Sequence, residues 1–228
     1  MRVNPAIVLL MSFLVDRCLE LGLSFLCLGR VSLVHQSRMN LIYPRFTLRQ
    51  FGWILVFSLS GAVIAGVYGI IHDQITFNLG PEYFMEFKFQ QFFYLSKSQP
   101  EWLIVAEIGF LATWWVGFFA GWFMGRLTIP HLPIKRATKQ SLQGVLVMVV
   151  TAILSALAAY AWSPTRQEDP VMENWESMFV GRDIIDTVAF AQVGYIHNAS
   201  YLGGLVGCVL ALVWMRWRRP CLSRNTRP

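Results

Sequence analysis

Four long apolar runs decide what this chain can fold into. Residues 53–71, WILVFSLSGAVIAGVYGII, carry no charge. Residues 102–124 carry one, Glu107, and residues 142–162 and 199–215 carry none. A helix rises about 1.5 Å per residue, so about 20 residues cross a hydrocarbon core about 30 Å thick. In lipid the backbone polar groups of such runs must bond within the segment, and at this length the segment is a helix. Trp53, Trp102, Trp162, Trp214 and Trp217 stand at the run ends, where amphipathic rings prefer the interface. Only 14% of residues are charged, against about 25% in soluble domains. That balance excludes an ordinary soluble enzyme, a disordered chain and a nucleic-acid-binding domain. The net charge of +6 does not collect in one basic patch; it is sorted by loop.

The sorting sets an orientation. Arg30, Arg38, Arg45 and Arg49 precede the first run, and no acid follows Glu20 there. Arg126, Lys135, Arg136 and Lys139 join runs two and three, and Arg216, Arg218, Arg219, Arg224 and Arg227 follow run four. The two remaining loops hold only Lys88 and Lys97, and Arg166 and Arg182, among many acids. Lys and Arg stay in the cytoplasm. The expected fold is therefore an all-α membrane protein, a four-helix bundle with two extracytoplasmic loops and both termini cytoplasmic. The expected domain is 39–219, with a basic cytoplasmic tail at 220–228. Residues 1–38 fit no span well, because Asp16, Arg17 and Glu20 break the apolar pattern and a central charge costs about 2.5–3.5 kcal/mol on insertion scales. An interfacial helix and a marginal fifth span stay open there. The reading adopted is an extension upstream of a natural start near Met39.

Helices in lipid approach closely through small residues. Run one has Ser58, Gly61, Ala65 and Gly69; run two has Gly109, Thr113, Gly117, Gly121 and Gly125 at four-residue intervals. Run three has Thr151, Ser155 and Ala159, and run four Gly203, Gly207 and Ala211. Packing within the bundle is the expected use, with self-association or a membrane partner as the alternative. Cys18, Cys27, Cys208 and Cys221 fit no zinc or redox spacing. In the first loop Ile75, Phe77 and Leu79 alternate with polar residues, which predicts a short strand ended by a Gly80-Pro81 turn. The aromatics from Phe77 to Phe93 are too many for a solvated loop, and are expected to pack on the rim of the bundle or to form a partner-binding patch.

The motifs His72-Asp73-Gln74-Ile75-Thr76 with Pro81-Glu82-Tyr83-Phe84, Ala112-Thr113-Trp114-Trp115-Val116-Gly117 and Tyr195-Ile196-His197-Asn198-Ala199 resemble those of a family of uncharacterised bacterial inner-membrane proteins. The resemblance covers roughly residues 39–219. It implies a bacterial cytoplasmic membrane and carries no activity.

The candidate chemistry is sparse. Of four histidines, His35 and His131 fall in cytoplasmic segments. His72 closes run one and His197 opens run four, both at the outer side. Glu107 lies five residues into run two from that side, about 7.5 Å deep. At about 100° per residue, His72 projects over Gly61, Ala65 and Gly69, and His197 over Gly204, Cys208 and Ala211. Both imidazoles are then expected to point inward and to meet. Glu107 sits about 200° from Gly109, which can turn it elsewhere, but it shares the depth of both histidines, and Glu107 or Asp73 is expected in the same polar cluster. Asp73 stands ready to orient His72 or to offer an oxygen. The readings of His72, Asp73, Glu107 and His197 are a metal site, a proton relay, haem ligation by two histidines, or a polar network that caps helix ends. Gln192, Asp183 and Asp186 are candidates for a short outer helix. No P-loop, GxGxxG, HExxH or nucleophile–base pair is present, so the expected function is a non-enzymatic structural, assembly or partner-binding membrane component. A transporter or a metal- or haem-binding protein is the alternative.

Overall fold

The computed structural model describes residues 46–96, 98–162, 175 and 178–224. The expectations for residues 1–38 and for most of the second loop lie outside these residues. Four long helices make up the fold: α1 (Leu48–Phe77), α2 (Glu101–Thr128), α3 (Ile134–Trp162) and α4 (Thr187–Arg224). All four contain stretches long and apolar enough to cross a membrane. The chain is thus an all-helical bundle compatible with a multi-pass membrane protein. At 28–38 residues the helices measure about 42–57 Å, so each overruns a core of about 30 Å. The end where Phe77, Glu101, Trp162 and Thr187 lie is called the upper end below.

The start of α1 is a capping box. Thr47 Oγ1 accepts from the Gln50 N–H at 3.2 Å, and Gln50 Oε1 accepts from the Thr47 N–H at 2.9 Å. The start of α4 is held by carboxylates: Asp186 Oδ1 accepts from the Ala189 N–H at 2.9 Å, and Glu82 Oε2 accepts from the N–H groups of Ile185 and Asp186 at 3.0 Å. Negative groups there also suit the helix dipole. Asp186 is therefore a cap, not part of a separate outer helix. Glu82 anchors the first loop to α4.

The bundle is built inside out relative to a soluble protein. Ser58, Gly61, Ala62, Gly66 and Gly69 of α1 are buried, while Leu59, Val63, Val67 and Ile71 are exposed. On α3, Ser141, Gly144, Ala152 and Ala156 are buried, while Leu142, Leu146 and Leu157 are exposed. Apolar residues on the outside need a hydrocarbon solvent, and small residues on the inside permit close packing.

The small residues seat two helix pairs. α1 packs on α2 and α3 on α4. Along the first seam Gly69 faces Gly109, Gly61 faces Gly117, and Gly121 faces the backbone of Phe57 and Ser58. Thr113 Oγ1 donates to the Ala65 carbonyl at 2.8 Å and sits between those glycines. Along the second seam Gly203 and Gly207 lie against Thr151 and Ser155. The repeated stripe on α2 is thus taken up by packing within the chain. The two pairs meet at the lower end through Met124, Gly144, Ala211 and Met215, and at the upper end through side chains described below.

The strand expected at Ile75–Leu79 does not form. α1 continues to Phe77, and Asn78 is its C-cap. Extending an existing helix avoids the nucleation cost that a new element would bear, and three alternating residues carry too little to compete. The chain then turns at Gly80, where an added Cβ would meet the backbone of Ala189. It enters a π-helical turn, Tyr83–Lys88, followed by a short α-turn, Phe89–Gln91. The loop aromatics do pack on the bundle: Tyr83 and Phe84 join Val105, Trp175, Phe190 and Val193 in one cluster, and Phe89 joins Ile104 and Ile108. Phe93 stays exposed.

Candidate functional site

The upper end holds the one group of potential metal ligands among the described residues. His72 and Asp73 come from α1 and His197 from the third turn of α4. Their ligand atoms all lie within 4.8 Å of one another. Both histidines point inward, as helical projection predicts, and their ring centroids are 4.8 Å apart. The small-residue seams lie within each helix pair, and these side chains reach across between the pairs. Glu107, expected as a member of the same cluster, does not join the group. Its Oε2 is buried without a partner elsewhere on α2, in keeping with its projection away from the Gly109 face. His131 is exposed, near the lower end of α2, and Cys208 is a free thiol.

His197 is 0% exposed and Asp73 3%. His197 Nδ1 lies 3.0 Å from the Val193 carbonyl. A carbonyl only accepts, so Nδ1 carries a proton and donates. His197 Nε2 lies 3.1 Å from Asp73 Oδ1. With Nδ1 already protonated, a neutral imidazole would turn its Nε2 lone pair onto a carboxylate oxygen. The pair therefore needs a cation between or on its members: a proton, which makes the contact a charge-assisted hydrogen bond, or a metal ion. His72 Nε2 is also buried, with no hydrogen-bond partner.

Aromatic rings enclose this group. Tyr68 stacks on His72 at 5.6 Å and 20°, and its hydroxyl shares a 2.8 Å hydrogen bond with Ser200 Oγ, a second tie from α1 to α4. Tyr83, Phe84 and Tyr201 stand 5.0, 5.6 and 5.9 Å from the His197 ring. The π-helical turn puts Tyr83, Phe84 and Lys88 on one buried face. Lys88 Nζ lies 5.9 Å and 5.7 Å from the centroids of the Tyr83 and Tyr201 rings. Burial holds the Lys88 ammonium below its ordinary pKa, and the charge of Asp73 opposes that shift. Burial also pushes the Tyr83 phenol up, so it stays protonated.

Comparison with protein families, with curated proteins and with solved structures finds no match. The reading of this site therefore rests on its chemistry alone.

Sequence patterns gave His72, Asp73 and His197 but not Tyr68, Ser200, Lys88 or Tyr201. Tyr68 was within reach, since it stands one turn before His72 on the same face. Ser200 and Tyr201 were equally within reach, at three and four residues after His197. Lys88 was not, because its burial depends on the π-helical turn.

Proposed function

We propose that the chain is a non-enzymatic component of a bacterial cytoplasmic membrane, with its lower end in the cytoplasm. In this reading the upper end is a closed cap that fixes the two helix pairs against each other. The observation that carries the proposal is the sealing of the polar centre. The His197 side chain is 0% exposed and its Asp73 partner 4%, under the rings of Tyr83 and Phe84. A group that turns over a substrate needs an approach to its reacting atoms, whereas a group that holds helices together is best shielded. Buried polar pairs also fix one arrangement where apolar packing tolerates several. The exposed Leu, Val and Ile of α1, α3 and α4 and the exposed Trp and Phe of α2 are left for lipid or for neighbouring membrane proteins.

The orientation rests on the Lys and Arg distribution, with four, four and five on the lower side against two and two on the upper. Reporter fusions test it. Fusions after Glu82 and Glu173 should read as periplasmic, and those after Lys135 and Leu222 as cytoplasmic. A periplasmic signal after Lys135 overturns the orientation. Recovery of the full chain from the soluble fraction overturns the membrane assignment.

A further inference from the structure

We propose that His72, Asp73 and His197 form a binding site for a divalent transition-metal ion of the zinc class, which clips α1 to α4 at the upper end. The proposal rests on the closed-cap reading and adds what closes it. Three observations converge on it. His72 Nε2 is buried without a hydrogen-bond partner, and in the tautomer protonated at Nδ1 it offers a lone pair that no other group uses. His197 donates Nδ1–H to the Val193 carbonyl, the kind of bond that orients a metal-binding imidazole and leaves Nε2 free. The Nε2–Oδ1 separation of 3.1 Å brings two electron-rich atoms together and calls for a cation.

Geometry and donor type agree. Metal–nitrogen and metal–oxygen bonds of about 2.0–2.2 Å set neighbouring ligands about 3.0–3.6 Å apart in tetrahedral or octahedral shells. The 3.1 Å pair already fits, and the widest separation, within 4.8 Å, closes by a small rotation of the half-buried His72. Two imidazoles and a carboxylate, with no thiolate, favour Zn, Co, Fe or Ni over Cu(I), and over Mg or Ca. Asp73 supplies one negative charge and has a second oxygen to offer. The ring wall of Tyr68, Tyr83, Phe84 and Tyr201 keeps bulk water away, as suits a closed structural site. Lys88 opposes the metal. Its ammonium is attracted to Asp73 and competes with the metal for that charge, so Lys88→Met should tighten metal binding.

The test uses the full chain in detergent, stripped with a chelator and titrated with Co²⁺, then challenged with Zn²⁺. The wild type should bind one Co²⁺ per chain with ligand-field bands typical of nitrogen and oxygen ligands. Zn²⁺ should bleach those bands, and the melting temperature should rise on loading. His72→Gln and Asp73→Asn should each weaken binding by at least about 10-fold, or about 1.4 kcal/mol, while Glu107→Gln binds as the wild type does. Absence of saturable Co²⁺ and Zn²⁺ binding by the wild type overturns the proposal and makes the cation at this site a proton. Bands typical of sulfur ligation, or equal affinity in His72→Gln and Asp73→Asn, overturn it as well. If those variants fail to fold, imidazole signals in the X-ray absorption spectrum of the zinc-loaded wild type decide, and their absence refutes the site. None of these results touches the closed cap itself, which is measured on metal-free protein.

Discussion

Gly117→Ala is the most informative single change to the bundle. A Cβ built on Gly117 overlaps the Gly61 carbonyl oxygen and the Ala65 Cβ and crowds the Gly61 carbonyl carbon. Two of those three atoms are backbone, which no rotamer change moves. Non-bonded carbons sit at about 3.5–4.0 Å, and a gap of about 0.5–1 Å already forfeits a quarter to a half of each contact. The helices must therefore separate along the whole seam from Gly69–Gly109 to Phe57–Gly121. Overpacking of this kind costs about 1–3 kcal/mol. The Thr113 bond to the Ala65 carbonyl, 2.8 Å long, sits one turn away and puts about 0.5–1.5 kcal/mol more at risk. Helix propensity offsets little, because in lipid the separated helices stay helical. The expected loss is about 2–4 kcal/mol, read as a fall in the unfolding midpoint in detergent. Gly204→Ala and Gly52→Ala serve as controls. The nearest atom to a Cβ at Gly204 is 3.8 Å away, and at Gly52 there is none within 4 Å, so both should stay within about 0.5 kcal/mol of the wild type. A Gly117→Ala protein as stable as these controls would refute the account of the seam.

The other predictions follow from the upper end and the loop. Tyr68→Phe keeps the ring that stacks on His72 but deletes the 2.8 Å bond to Ser200; equilibrium unfolding should show a loss of about 0.5–1.5 kcal/mol. Lys88 has a folded pKa below the unfolded value of 10.5 because of burial, so the unfolded chain binds its proton more tightly. Stability should therefore be reduced at neutral pH and recover as pH rises through the lowered pKa towards 10.5. Melting curves should show Lys88→Met more stable than the wild type at pH 7, with the difference shrinking near pH 10; a constant difference would count against this. Glu82→Gln replaces the carboxylate that accepts two N–H bonds at the start of α4, and should speed hydrogen exchange at Ile185 and Asp186.

Much of the architecture was legible in the sequence because lipid imposes simple rules. Long apolar runs gave the four helices, and the spacing of Gly61, Gly69, Gly109 and Gly117 gave the faces that meet. The same angular argument turned His72 and His197 inward. Two kinds of information were missing. The end of a helix is not marked by its apolar run, so α1 carries Asp73 and Thr76 as helical residues where a loop and a strand were expected. The π-helical turn departs from the 3.6-residue period, so the burial of Tyr83, Phe84 and Lys88 over the polar centre could not be projected. The partner of His197 was left between Glu107 and Asp73. The intramembrane position of Glu107 drew attention, whereas Asp73, beyond the apolar run, makes the contact.

The coupling between Asp73 and His197 tests the central claim most directly. Unfolding free energies of metal-free wild type, Asp73→Asn, His197→Gln and the double variant form a thermodynamic cycle. A locked cap built on the 3.1 Å pair predicts a coupling of about 0.5–3 kcal/mol, with the double variant losing less than the sum of the single losses. Additivity within about 0.3–0.5 kcal/mol would mean that the two side chains do not act on each other, and would contradict the account.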